Sequence, residues 1–514
     1  MTVEPAYPAF EQGYQADAAQ VVWTRLIDDL ETPVSAYLKI GHGRPYAFLF
    51  ESVEGGAFRA RYSIITLNPD LVWRCRGDVA EIAEGDDIAA GRFTPQPGAA
   101  LDSLRDLVAR SRIELPAGLP PPSAGLFGAI GYDMIRLVER LPHVNPDPLG
   151  LPDGVMTRPS VVAIFDAIAQ EIILVTPVRP GGLSPEEAYA AAQARLEAVR
   201  ADSRRPTPAL KGDGVPEPDA FTSPISRERY CEIVETAKDY IRAGDVFQVV
   251  PSHRFRSPFT RDPFALYRSL RRTNPSPFLF YLNFGDFQLA GSSPEILVRL
   301  RDGKITIRPI AGTRPRGATP AQDLELEQEL VTDPKEHAEH LMLLDLGRND
   351  VGRVAMLKDP GANAAPQTPK GVRGAPRVRV TASFFVERYS HVMHLVSNVE
   401  GDAPDGLDPV DVVMAALPAG TLSGSPKVRA MELIDELEVE KRGVGYAGGV
   451  GYFGCDGSVD TCIVLRTALF KDGMMYVQAG GGVVADSDPN AEYEETLHKA
   501  RALRRAAEES WRFV

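Results

Sequence analysis

Val477-Gln478-Ala479-Gly480-Gly481-Gly482-Val483-Val484-Ala485-Asp486-Ser487-Asp488-Pro489 leads into Asn490-Ala491-Glu492-Tyr493-Glu494-Glu495-Thr496-Leu497-His498-Lys499-Ala500. An apolar strand runs into three glycines, then a turn, then a polar helix. Glycine has no Cβ, so backbone there can approach a ligand closely and present N–H groups to it. Glu492, Glu495 and Lys499 stand at offsets of three and seven. At roughly 100° per residue they share one narrow helix face. Two acids and a base facing glycine-lined backbone suit a metal ion and an anion. The alternative is a tight turn before a solvated helix, and this stretch alone does not choose between them.

A second Glu-x-x-Glu occurs earlier, in Glu336-His337-Ala338-Glu339. If the two helices face each other, four carboxylates converge. Oxygen ligands without cysteine or paired histidine select Mg²⁺ over Zn²⁺. Taken singly, either motif also fits a solvated helix face. Arg466 lies in the apolar run Cys462-Ile463-Val464-Leu465-Arg466, as a structural ion pair or a carboxylate clamp. His394 lies in Val392-Met393-His394-Leu395-Val396, as a core histidine or a general base. Gly312-Thr313 either turns the chain or offers backbone N–H groups to an anion.

Composition narrows the partners. The 514 residues are 44% hydrophobic and 25% charged, as in a soluble globular protein. A net charge of −14 disfavours nucleic acid and anionic membranes. An anionic substrate then needs a local positive feature, such as a metal or a glycine nest. Four cysteines without metal-type spacing fit a reducing cytoplasm. The N-terminus lacks the basic region and apolar core of a signal peptide. No apolar run approaches the roughly 20 residues of a membrane span.

Along the chain, hairpins alternate with helices. Residues 1–30 read as a helical lead-in, and strands around Tyr46–Phe50 and Tyr62–Ile65 as a hairpin about Gly55-Gly56. Residues 202–224 have the composition of a linker, dividing an N-terminal part, 1–201, from a larger part, 225–514. Ser226 is the expected N-cap of a helix ending at Gly244. Leu324–Leu346 reads as a long helix with a break near Pro334, and Val459–Phe470 as one strand. Residues 358–378, rich in Gly, Pro, Ala and Arg, read as a disordered insertion. The expected fold class is α+β: a layered α/β sandwich with large, mostly antiparallel sheets and helices on the outside.

Several of these segments carry a resemblance. Pro309-Ile310-Ala311-Gly312-Thr313-Arg314-Pro315-Arg316-Gly317, Glu339-His340-Leu341-Met342 with Asp345-Leu346-Gly347-Arg348-Asn349-Asp350, and His391-Val392-Met393-His394-Leu395-Val396-Ser397 are three of them. Pro418-Ala419-Gly420-Thr421-Leu422-Ser423-Gly424-Ser425-Pro426-Lys427 and the opening stretch complete the set. Together they resemble the chorismate-utilising enzymes and, among these, the large subunits of anthranilate synthases. The strong motifs span roughly residues 226–510. The N-terminal part is similar more loosely, at Phe50-Glu51-Ser52 and Arg61-Tyr62-Ser63.

The resemblance implies roles. Glu339 and Glu495 would ligate Mg²⁺, with Glu336 and Glu492 holding its waters. The ring carboxylate of chorismate would meet the metal, Lys499, and backbone at Gly312, Thr421 and Gly482. Tyr446, Arg466 and Gly480 would hold the enolpyruvyl carboxylate. Glu295 would be the general acid for the departing C4 hydroxyl, Thr313 would position the substrate, and His394 would assist proton removal as pyruvate leaves. Tryptophan, as feedback inhibitor, would use Glu51, Ser52, Pro277, Val450 and Tyr452; Phe50 and Phe278-Leu279 depart from the family pattern there.

Two positions separate the branches. Aminodeoxychorismate synthases carry a nucleophilic lysine where Ala311 stands, and isochorismate and salicylate synthases carry a water-activating lysine where Gln248 stands. Without either lysine, direct attack by ammonia remains. No Gly-x-Cys-x-Gly elbow of a glutamine amidotransferase is present, so the resemblance implies a separate glutaminase subunit and a hetero-oligomer. The rival readings are an aminodeoxychorismate synthase and a catalytically silent, tryptophan-sensing scaffold.

Overall fold

A computed structural model describes residues 2–54, 58–59, 61–210, 221–355, 378–389 and 392–514. Two long strands, Tyr62–Arg76 and Gly154–Asp166, pair antiparallel from Tyr62 opposite Asp166 to Cys75 opposite Gly154. Pro69 lies opposite Pro159 midway along, and the register shifts between Pro69 and Leu71. Proline donates no hydrogen bond, so the ladder weakens there and the ribbon can bend. Each strand thereby serves two sheets.

On one side of the bend the ribbon is flanked by Phe48–Glu54 and by Glu171–Val178. That sheet continues through Phe278–Asn283, Gln288–Ser293, Thr467–Lys471, Met474–Gly480 and Ser252–Pro258. On the other side it is flanked by Val79–Glu84 and Gly125–Ile130. The second sheet continues through Gly449–Gly454, Val459–Ile463, Ile296–Arg301, Lys304–Ile307 and Val392–Asp402. Ile310–Pro315 and Val378–Arg388 flank that last strand. Each of these pairings is antiparallel. The α+β sandwich expected from the sequence is the architecture observed.

Apolar residues sort into matching layers. Phe48, Ile64, Phe127, Val162, Phe280, Val450 and Leu469 fill the space between the sheets. Helices Tyr7–Gln15, Pro33–Ile40, Pro185–Ser203, Pro263–Thr273 and Pro489–Glu509 cover the outer face of the first sheet. Helices Ala100–Arg110, Pro334–Ala355 and Pro409–Ala416 cover that of the second. Asp488 caps the helix Pro489–Glu509 by accepting from Ala491 N–H at 2.8 Å, and Pro489 pre-sets its first turn. Ser226 and left-handed Gly244 bound the helix Arg227–Ala243 as expected.

Some expectations need correction. Residues 1–30 hold one short helix and then the strand Gln20–Ile27, whose buried Val21, Val22 and Trp23 pack between and outside the layers. The break expected near Pro334 is present, between the helices Pro320–Thr332 and Pro334–Ala355, because Asp333 before proline is held extended; only the outer bounds of the stretch differ. Val459–Phe470 is two strands in different sheets. Asp202 and Ser203 finish a helix rather than begin a linker. Gly55-Gly56, residues 211–220 of the linker and 358–377 of the insertion lie outside the described residues; Val378 starts a strand.

Gly128 and Gly451 face each other where Gly125–Ile130 pairs with Gly449–Gly454. A Cβ on Gly128 would sit 2.0 Å from the Val155 carbonyl oxygen. Gly128→Ala should cost about 1–3 kcal/mol in denaturant unfolding. Gly182→Ala, with nothing within 4 Å, should cost under about 0.5 kcal/mol. Equal effects would contradict this packing.

Candidate active site

Two segments cross between the sheets side by side. Pro294-Glu295 joins Gln288–Ser293 to Ile296–Arg301, and Val464-Leu465-Arg466 joins Val459–Ile463 to Thr467–Lys471. The crossings are bonded to each other: Ile463 N–H donates to Glu295 O at 3.0 Å, and Ser292 N–H to Arg466 O at 3.2 Å. Arg466 has φ 47°, a left-handed conformation costly for a residue with a Cβ. Changing sheets therefore delivers an acid and a cation to the same place.

Both line a cavity of about 660 Å³. Its wall also includes Gly312, Thr313, His394, Thr421, Tyr446, Gly480 and Gly482, with Glu339, Glu492, Glu495 and Lys499. Every catalytic and substrate-contacting residue expected from the sequence thus lies on one surface. Ala311 and Gln248 are on it too.

The Glu295 carboxyl is pushed up to about 8, mainly by burial. Thr421 Oγ1, donating to Glu295 Oε2 at 3.1 Å, the Ile310 N–H and Arg466 only partly offset this. Glu295 therefore holds its proton at neutral pH. Burial also weakens the hold of Arg466 on its proton, and among the described residues its guanidinium makes no hydrogen bond. It is available to an anion.

His394 Nδ1 lies 2.9 Å from the Gly312 carbonyl and 3.1 Å from Thr313 Oγ1. The carbonyl can only accept, so Nδ1 carries the proton and Nε2 keeps its lone pair. Burial holds the imidazole down at about 4, so it is neutral and basic at pH 7. Tyr446 is buried, and burial raises its phenol; the backbone N–H of Gly480 interacts with its hydroxyl. A Cβ on Gly480 would approach that oxygen to 3.1 Å.

The two acidic helices do meet. Glu339 is raised first by burial, then by repulsion from Glu336 and Glu495. Glu492 is raised by burial and by Glu495. Its Oε1 accepts from Ser487 Oγ at 2.7 Å, while its Oε2 is buried without a partner among the described residues. Lys499 bridges Glu495 at 2.7 Å and donates to the Gly480 carbonyl at 2.9 Å. Arg314 holds Glu336 at 3.0 Å. An orphaned carboxylate oxygen among mutually repelling carboxylates fits a hard divalent cation. As the described side chains stand, no three acidic, histidine or cysteine groups converge within ligating range. Mg²⁺ tolerates this, because it keeps several waters and takes few protein ligands.

The residues expected to bind tryptophan divide between the space between the sheets and the outer face of the first sheet. Val450 and Tyr452 pack with Phe50 and Phe278 between the sheets. Glu51 points the other way, accepting from Tyr267 at 2.6 Å and from Arg271 at 2.7 and 2.8 Å. Ser52 lies opposite Phe278 in the ladder, and Pro277 precedes that strand. Sequence reasoning missed Ser487, Arg314 and Lys335, which hold or face the acids. Arg314 and Ser487 lay inside segments already singled out, but polarity alone gives no direction for a side chain.

The Glu295 proton predicts a pH dependence of stability. Below about 4.5 both folded and unfolded chains hold it; between 4.5 and about 8 only the folded chain does. Its contribution therefore declines as pH rises through that window and levels off above it. Glu295→Gln should become more stable than the parent across the same window. The ceiling is roughly 4–5 kcal/mol at about 1.4 kcal/mol per unit. A difference that does not vary with pH would show that the carboxyl is ionised.

The profile of the chorismate binding enzyme family matches residues 73–367 and 373–505. Anthranilate synthase component 1 of Cereibacter sphaeroides is 55% identical over 99% of this chain and 98% of its own. The protein of that name from Thermus thermophilus is 45% identical, over 93% and 96% respectively. The crystal structure of anthranilate synthase component I from Streptococcus pneumoniae superposes with a TM-score of 0.74 at 36% identity, covering 93% of this chain and 99% of that one. With the profile spanning both sheets and every wall of the cavity, the chain belongs to the chorismate binding enzyme family.

Proposed function

We propose that this chain is the chorismate-binding component of an anthranilate synthase, converting chorismate and ammonia to anthranilate, pyruvate and water. The observation that carries the reading is the pairing, in one cavity, of a protonated carboxyl with a neutral imidazole and a guanidinium free to take an anion. Full-length similarity to proteins of that name supports it. Alanine at position 311 and glutamine at 248 line the same cavity. Neither can act as a nucleophile or activate water as lysine would, so ammonia is the attacking group.

Arg466, with Tyr446 and the Gly480 backbone, orients the enolpyruvyl carboxylate. Gly312, Thr421, Gly482 and Lys499 orient the ring carboxylate, and Thr313 holds the ring between them. Ammonia adds at C2 as the C4 hydroxyl departs with the proton of Glu295. Hydroxide is a poor leaving group, and a positioned acid typically contributes about 10²–10⁴-fold. His394 Nε2 then assists removal of the C2 proton as the C3–O bond breaks and the ring becomes aromatic, and the released enolpyruvate takes up one proton at its methylene carbon to become pyruvate. Glu339 and Glu495 would hold Mg²⁺, with Glu336 and Glu492 behind its waters; the ion would polarise the ring carboxylate.

Ammonia comes from glutamine through a separate amidotransferase subunit. Supporting this, burial raises all four thiols, Cys75 and Cys455 to about 12. A glutaminase needs a thiolate. We assign feedback inhibition by tryptophan to the region of Glu51, Ser52, Pro277, Val450 and Tyr452. Residues 1–201 supply Glu51 and Ser52 to it, and 225–514 supply Pro277, Val450 and Tyr452 as well as the residues lining the cavity. The Arg271 partner of Glu51 and the aromatic Phe50 bear on inhibitor affinity. No helix among the described residues is long and apolar enough to cross a membrane.

Purified chain with chorismate, Mg²⁺ and ammonium should form fluorescent anthranilate, and with glutamine alone none. Isochorismate or aminodeoxychorismate as product would overturn the reading. Glu495→Gln should lose at least about 10²-fold in kcat; full activity would remove it from the metal site.

A further inference from the structure

Arg442 is almost wholly enclosed, with 1% of its side chain exposed. Its guanidinium pairs with Glu438 at 2.5 Å through Nη2 and at 3.1 Å through Nε. Nη1 donates to the Leu422 carbonyl and Nη2 to the Val250 carbonyl, both at 2.7 Å. Tyr132 and Tyr446 lie against it, with ring centres 4.8 and 5.3 Å from the guanidinium carbon. Glu438 also accepts from Ser252 N–H and Oγ, both at 2.8 Å.

The contacts lead to different parts of the cavity. Leu422 follows Thr421, whose hydroxyl donates to the Glu295 carboxyl. Val250 lies two residues beyond Gln248, on the segment paired with Ser425 and Gly424. Tyr446 forms part of the wall itself. A stabilising ion pair alone needs only Glu438, and a buried pair is often no better than apolar packing. Using the remaining donors on two loop carbonyls, with tyrosines against the ion, fixes geometry instead.

We propose that Arg442 is a positioning residue: from behind the cavity wall it sets where Thr421 and Tyr446 stand against the substrate and the general acid. The inference rests on the reaction proposed above. Lysine at 442 would keep the charge beside Glu438 but could not span Leu422, Val250 and both rings.

The test compares Arg442→Lys, Thr421→Val, the double variant and Glu438→Gln in the Mg²⁺- and ammonium-dependent reaction, at constant free ammonia across pH. A hydroxyl donating to a carboxylate favours its ionised form. Losing that placement should move the alkaline limb of kcat/KM to higher pH in Arg442→Lys, as in Thr421→Val. Arg442→Lys should lose at least tenfold in kcat, and the double variant should be little worse than the poorer single one. Glu438→Gln keeps an acceptor for Ser252 and should shift the limb the same way with a smaller loss, so the inference remains testable if Arg442→Lys does not fold. An unmoved limb, or losses that simply add, overturns the positioning role while the parent chain still forms anthranilate. A parent chain that forms none overturns the reaction and this inference together.

Discussion

Carboxylates from two distant helices are held close enough to repel one another. Glu336 and Glu495 press on Glu339, and Glu495 presses on Glu492. Unit charges about 4 Å apart interact by about 4 kcal/mol at an effective dielectric of 20. Such a cluster persists only if the scaffold over-determines it. The helix Pro489–Glu509 is bound to one sheet and Pro334–Ala355 to the other. Neither helix can relax the repulsion without disturbing a packed layer. Lys499, Arg314 and Ser487 offset part of it and leave one buried oxygen of Glu492 unpartnered.

The same scaffold sets the chemistry between the helices. Where two segments change sheets, buried Glu295 and half-buried Arg466 are brought together on the wall of the cavity. Desolvation then acts in opposite directions on two groups facing one cavity. It keeps a proton on Glu295 and keeps one off His394. An acid and a base, both in working form at neutral pH, follow from burial more than from any special partner.

Much of this was legible in the sequence. The glycine run and the acidic helix after it could be read from residue types alone, and the phase of Glu492, Glu495 and Lys499 from their spacing. The pairing with Glu339 needed the family resemblance, because no local pattern says which helices will meet. The break at Asp333 was signalled by proline, and the strand Gln20–Ile27 was absorbed into the helical lead-in because no glycine or proline separates it from the helix before it. The sheet crossing at Arg466 was not legible. Val459–Phe470 is a largely apolar run with no glycine or proline to mark a break, and the positive φ of Arg466 shows where it leaves one sheet for the other. Arg442 was missed because its partners lie on separate loops.

In the function proposed above, the two helices share one divalent cation. Calorimetric titration of Mg²⁺ into the full chain with saturating anthranilate tests it without turnover. One ion per chain should bind, because the repulsion that Glu336 and Glu495 exert on Glu339, and Glu495 on Glu492, is relieved by a shared cation. Glu339→Gln and Glu495→Gln should each weaken binding at least tenfold. Unchanged affinity in either variant would contradict a site shared by the two helices.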